Sequence, residues 1–295
     1  LNRKGIEPEK RVATRCAKYL RPLAMSSAVA VAILVSLAPS TAEPSALFTG
    51  DYETGNLDQW EICQSVAVNE SCRDYGGSHY SLQVQSEVRR QGMFAARFEV
   101  RDGDVPTTVP GGERAEVQGP PETGGNEGDD RWYQWSTEFS TTFPTDHASQ
   151  GWGLVAQWHS DVDGSPPIGM YVDVGDGQWG LRINAQTAPG QFIEDYAPWT
   201  TGLAQGTWQD IKVHIKWSTD DRIGFVELWH DGVQQTFTGS PCPGQTRCYA
   251  RTLVPGAGPT YFKQGYYRDR NVTGAGVVYH DGFTVARTES TLGGL

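Results

Sequence analysis

The chain has 295 residues, a formal charge of −11 at neutral pH, 35 glycines, 17 prolines, 10 tryptophans and 12 tyrosines. So acidic a chain argues against general affinity for nucleic acid, which relies on basic patches. A polyanion can still be bound where positive residues gather in one cleft.

From the start of the chain, seven basic residues between Arg3 and Arg21 lead into the short apolar run "LAMSSAVAVAILVSLAPSTA" (23–42), which ends in small residues. That is the layout of a secretory signal peptide, with cleavage expected after Ala42. The run is too short and too serine-rich for a membrane span, which needs about 20 apolar residues. The expected mature protein, 43–295, is one secreted domain, monomeric and free of the membrane. Losing seven basic and two acidic residues moves its formal charge to −16.

Beyond residue 42 there is no long stretch of 3.6-residue periodicity, no internal repeat and no linker, so the chain reads as a single all-β domain. It retains Cys63, Cys72, Cys242 and Cys248. Four cysteines in an exported chain allow three disulfide pairings. The local pairs Cys63–Cys72 and Cys242–Cys248 are favoured, each closing a short loop worth roughly 2–3 kcal/mol. Zinc is the rival reading, but the spacings do not suit paired ligands.

Alternation with a period of two marks the strands. "GERAEVQG" (112–119) puts Arg114, Glu116 and Gln118 on one face and Ala115 and Val117 on the other. Glu116 beside Arg114 fixes the guanidinium as a carboxylate clamp. In "WGLVAQWH" (152–159), strict alternation groups Trp152, Leu154, Ala156 and Trp158 on a core face, opposite Val155, Gln157 and His159. "WGLRINAQ" (179–186) alternates Arg182 and Asn184 with Leu181 and Ile183. "IKVHIKW" (211–217) has a clear core face, and "GFVELWHDGV" (224–233) ends in an Asp-Gly turn. In "YFKQGYYRDR" (261–270), Tyr261, Lys263, Gly265 and Tyr267 share one face, and Gly265 is expected to let a ligand approach the backbone. Turn clusters at 121–130, 161–167 and 254–259 separate these strands. Two packed antiparallel sheets follow, a jelly-roll sandwich with one concave face.

The segments "RAEV", "QWH" and "YFKQGYY" resemble the Arg-x-Glu, Gln-x-His and Tyr-Phe-Lys-x-Gly-x-Tyr motifs of jelly-roll polysaccharide lyases such as alginate lyases. The flanks "DYETGNLDQW", "RRQGMFAARFEVRDGD" and "YYRDR...VVYHDGFTVAR" are more similar to the heparin lyase I-like and glucuronan lyase-like branch. The resemblance covers residues 47–287 and implies a concanavalin A-like β-jelly-roll. It also implies a secreted enzyme that cleaves an acidic, uronate-containing polysaccharide (glucuronan, heparin or heparan-like, or alginate) by β-elimination without an organic cofactor.

In that chemistry the C5 proton is removable only once its neighbouring carboxylate is neutralised, a role for Arg114 and Gln157 with His159 assisting. Tyr267 protonates the O4 leaving group, and also takes the proton if both lie on one face of the ring. Otherwise His159 is the base. Tyr261, Lys263, Arg182 and Asn184 are expected to bind substrate. Relatives often hold a structural calcium, and Asp51, Glu53, Asp102, Asp104 and Asp281 are the carboxylates available, although their spacing defines no site. The rival functions are a carbohydrate-binding module, with its tryptophans as stacking platforms, and a hydrolase, which needs a pair of carboxylates.

Overall fold

The structure, a computed structural model, describes residues 45–77, 79–107 and 111–294. The expected signal peptide and its cleavage point lie outside the described residues. Among the described residues seventeen strands carry the fold. The first eight are β1 (Phe48–Gly50), β2 (Ile62–Ser65), β3 (Asn69–Ser71), β4 (Leu82–Gln85), β5 (Ala95–Val100), β6 (Glu113–Gln118), β7 (Asp130–Phe139) and β8 (Gly153–Ser160). They are followed by β9 (Ile168–Tyr171), β10 (Gln178–Ala188), β11 (Gln191–Gly202), β12 (Trp208–Lys216) and β13 (Phe225–His230). The last four are β14 (Val233–Gln234), β15 (Cys248–Tyr249), β16 (Thr260–Arg268) and β17 (Gly276–Ala286).

They form two antiparallel sheets. One runs β14-β13-β12-β7-β17-β5-β4, with β1 on β17 and β15 on β13; the other runs β11-β10-β9-β8-β16-β6-β2-β3. This is the jelly-roll sandwich the alternation predicts. Among the described residues no helix is long and apolar enough to cross a membrane.

The core between the sheets is aromatic. Phe262 of β16 stacks on Phe283 of β17 with centroids 4.3 Å apart, and lies 5.0 Å from Trp158 of β8. Large aromatic payloads dominate core energetics, so β16 and β8 are pinned from behind by the faces opposite Lys263 and Gln157. The core faces read from "IKVHIKW" and "WGLRINAQ" hold, with Ile211, Val213, Ile215, Leu181 and Ile183 fully buried. Asp231 and Gly232 both have positive φ at the β13–β14 turn, as its Asp-Gly sequence favours. Disulfides join Cys63 to Cys72 and Cys242 to Cys248, the local pairing, which removes the zinc alternative.

Strict alternation fails in one place that matters. Between β8 and β9, Leu154 pairs with Tyr171 and Ala156 with Met170, so β8 carries one extra residue. A bulge of this kind shifts the phase of the side chains. Val155 therefore enters the core with Ala156 and Trp158, while Trp152 and Leu154 turn to the opposite face. A second bulge lies on β16 between Gln264 and Tyr267. There Gly265 has φ +147°, and a Cβ would stand 2.2 Å from the Ala115 carbonyl oxygen. The space expected for a ligand is thus filled by β6, and the glycine serves the close approach of two backbones.

Two core histidines make stability depend on pH. Burial pushes His280 down to about 4, and burial together with Arg268 does the same to His147. Their unfolded value is about 6.5, so each stabilises the fold fully above that pH, by about 3 kcal/mol. That contribution is lost as pH falls from 6.5 through 4. Asp281, raised by burial to about 6, has the opposite sign and offsets part of the loss. The melting temperature should therefore fall between pH 7 and pH 4.5, and less steeply in His280→Gln. A flat profile would refute the assignment.

Candidate active site

Two rows of paired residues cross the open face of the second sheet. Arg114 pairs with Tyr267, Tyr267 with Leu154, and Leu154 with Tyr171. In the next row Lys263 pairs with Gln157, Gln157 with Gly169, and Gly169 with Arg182. Residues in register across neighbouring strands are about 5 Å apart and interact directly. Four segments distant in sequence are thereby brought onto one surface.

Glu116 joins the two rows. Its carboxylate accepts from Lys263 Nζ at 2.7 Å and from Gln157 Nε2 at 2.5 Å, and lies 3.6 Å from Arg114 Nη1. Burial by itself would raise this carboxyl, but the Lys263 and Arg114 charges and its hydrogen bonds hold it below the usual range. The cluster is thus two cations around one anion, with a net positive charge. Burial drives the Lys263 ammonium down, opposed by Glu116.

Arg114 lies against the Tyr267 ring, its guanidinium carbon 3.7 Å from the centroid. Trp152 meets the same ring edge-on at 4.6 Å. The phenol oxygen accepts from the Gly112 N–H at 3.3 Å. The ring is therefore gripped on two sides while remaining partly exposed. Arg114 Nε is buried without a partner among the described residues, an N–H still able to donate.

Beside these rows lies a cavity of about 380 Å³, lined by Trp152, Leu154, Gln157, Tyr171, Arg182, Asn184, Asp195 and Tyr267, with residues 164–166 along one rim. Of the residues expected to act, it gathers Tyr267, Gln157, Arg182 and Asn184, with Arg114 under the phenol. Lys263 and Tyr261 do not line it. The Lys263 ammonium is 4% exposed and occupied by Glu116, so it acts by fixing that carboxylate. The Tyr261 phenol, pushed up to about 12 by burial, faces the Ser160 carbonyl.

His159 stands beside Tyr261, away from the cavity lining. Its Nδ1 faces the Ser160 carbonyl and its Nε2 the Gly164 carbonyl at 3.0 Å. Burial pushes the imidazole down. Nε2 must therefore part from Gly164 before it can take a proton from a ligand.

Sequence reasoning missed Trp152 and Leu154 because the bulge reverses their face. It missed Tyr171 and Asp195 because neither falls in a polar alternation. A cavity of similar size on the other sheet is lined by Gln134, Asp210, Lys212, Asp231, Glu289 and Leu292 and holds none of the expected groups.

The five carboxylates considered for calcium have separate protein partners. Glu53 accepts from the Met93 and Phe94 N–H groups, Asp281 from Arg90 and Gln91, Asp104 from Tyr80, Asp102 from Arg268 and Asp51 from Gln59. Among the described residues no three His, Cys, Asp or Glu side chains stand together as metal ligands.

A family model described as polysaccharide lyase matches residues 52–284. No curated protein matches by sequence. Among solved structures, the endo-β-1,4-glucuronan lyase of the fungus Trichoderma reesei superposes with a TM-score of 0.60 at 18% identity, covering 84% of this chain and 98% of that one. A family 7 alginate lyase reaches 0.54 at 14% identity, covering 78% and 94%. The catalytic domain of a glycoside hydrolase family 131 protein from Coprinopsis cinerea reaches 0.52 at 14% identity, covering 83% and 95%. At these identities the superpositions speak for the fold, which hosts both eliminating and hydrolysing enzymes.

Proposed function

The chain belongs to the polysaccharide lyase family, and on that premise we propose that its cavity cleaves a uronate-containing polysaccharide by β-elimination. The observation that carries the reading is that Gln157 and Tyr267 line one cavity, with Arg114 packed against the Tyr267 ring and paired, like Gln157, with the buried Glu116. A substrate carboxylate placed beside Gln157 meets its second amide hydrogen and the positive charge of the Arg114 guanidinium under Tyr267. These groups neutralise it and stabilise the enolate-like charge that develops when the C5 proton leaves, as an oxyanion hole does.

Tyr267 is the acid and the base. In a β-1,4-linked glucuronate the C5 proton and O4 lie on the same face, so one phenol can serve both steps. Its deprotonated oxygen takes the C5 proton, the C4–O4 bond breaks as the C4–C5 double bond forms, and the phenol returns a proton to O4. The charge on that oxygen develops beside Arg114. His159, covered by Gly164, is left a supporting role. No organic cofactor enters this scheme.

The three cations at the site, Arg114, Lys263 and Arg182, stand against three carboxylates in all, Glu116, Asp173 and Asp195, which favours an unsulfated uronate over a densely sulfated chain. The two disulfides support action outside the cell, where the protein works as a monomer.

The test is the ultraviolet absorbance of the unsaturated uronate end, followed with the mature protein on glucuronan, alginate, heparin and heparan sulfate. Absorbance should rise on an unsulfated glucuronate polymer. Tight binding without any rise on the panel would move the reading to a carbohydrate-binding module.

A further inference from the structure

The cavity is electrically divided. At the Tyr267 end, Arg114 and Lys263 surround Glu116 with a net positive charge. At the other end the sign reverses. Arg182 contacts Asp173 Oδ2 through Nη1 at 3.1 Å and Asp195 Oδ1 through Nε at 3.3 Å, so one guanidinium stands against two carboxylates. It also lies over the Tyr171 ring at 4.6 Å. Arg182, expected to bind substrate, lines the cavity with its Nη1 and Nε already engaged by carboxylates.

The Asp173 side chain is 10% exposed, while the Asp195 side chain is 48% exposed and lines the cavity. Asn184 adds to the same wall. Its amide nitrogen already donates to the Pro166 carbonyl and the Tyr171 hydroxyl, which leaves its carbonyl oxygen as an acceptor. Asp195 is thus the exposed charged acceptor on this wall, beside the Asn184 carbonyl oxygen. Burial raises the carboxyls of both Asp173 and Asp195 despite Arg182, in keeping with a wall short of positive charge.

The two ends are three strand intervals apart, about 14 Å at roughly 4.8 Å per strand, which is more than one sugar ring. The geometry points to Asp195, held by Arg182, as the residue that makes the position next to the cleaved uronate select an uncharged ring with hydroxyl or amide N–H donors. The inference rests on the elimination reading above. The substrate it implies is a polymer in which the uronate is flanked by a neutral sugar.

The experiment compares glucuronan, with a carboxylate on every ring, with an unsulfated 1,4-linked polymer alternating glucuronate and N-acetylglucosamine. The wild-type kcat/KM should be about tenfold or more higher on the alternating polymer. Asp195→Asn should narrow that ratio about tenfold, mainly through a lower KM for glucuronan, and added salt should narrow it in the wild type. Asp195→Ser, which also removes the charge, should behave alike. A ratio that neither variant changes, or that both widen, overturns the inference. If the wild type forms unsaturated ends on neither polymer, the elimination reading fails instead. Calorimetric affinities of oligosaccharides from both polymers, in wild type and Asp195→Asn, then still test the charge selection.

Discussion

Tyr267→Phe lowers kcat on the best uronate polymer by about a thousandfold or more, with the fold intact. General acid and general base catalysis are each worth typically 10²- to 10⁴-fold, and in the proposed mechanism one oxygen supplies both. The substitution keeps the ring, and with it the Arg114 and Trp152 contacts. It removes only an oxygen that accepts one long hydrogen bond from Gly112, a loss of about 1 kcal/mol at most. Melting temperature and KM should therefore change little while turnover collapses. His159→Asn should cost far less, because the imidazole lies off the cavity behind the Gly164 carbonyl. If the two variants exchanged these outcomes, the base would be His159 and the elimination would proceed across opposite faces of the ring.

Glu116→Ala is the most damaging change to stability at the site. The carboxylate is 2% exposed and is shared by Lys263, Gln157 and Arg114. Removing one partner of a buried ion pair leaves an uncompensated charge and costs about 3–5 kcal/mol. Lys263 is the group stranded, because it is nearly as buried as Glu116. Replacing both, as Glu116→Leu with Lys263→Met, should restore most of that stability, since apolar pairs of similar volume often substitute well for buried ions. Activity should not return. Gln157 and Arg114 would lose the acceptor that sets their orientation, and small misplacements of positioning groups cost large factors in rate. Denaturant unfolding and kcat/KM, measured on the single and double variants, separate the two effects. A double variant with wild-type kcat/KM would show that Glu116 serves the fold alone.

The period-two patterns by themselves determined the sandwich, the core faces of β6, β10 and β12 and the residues with polar chemistry. Each of those properties is set by neighbours one or two positions away along the chain. Arg114, Gln157 and Tyr267 were legible for the same reason: each sits in a strand whose opposite face carries buried residues such as Val117, Trp158 and Phe262. Whether such residues meet depends on the register between strands, and the bulges that set the register leave no mark in a period of two. Trp152 and Leu154 moved from the expected core face to the cavity because β8 holds one extra residue, and Gly265 proved to accommodate a neighbouring backbone. The tertiary structure alone decided that Lys263 pairs with Glu116, that Gly164 covers His159 and that Arg182 is shared by Asp173 and Asp195. The electrostatics of a cleft are sums over side chains from many strands, fixed only when those strands are laid side by side.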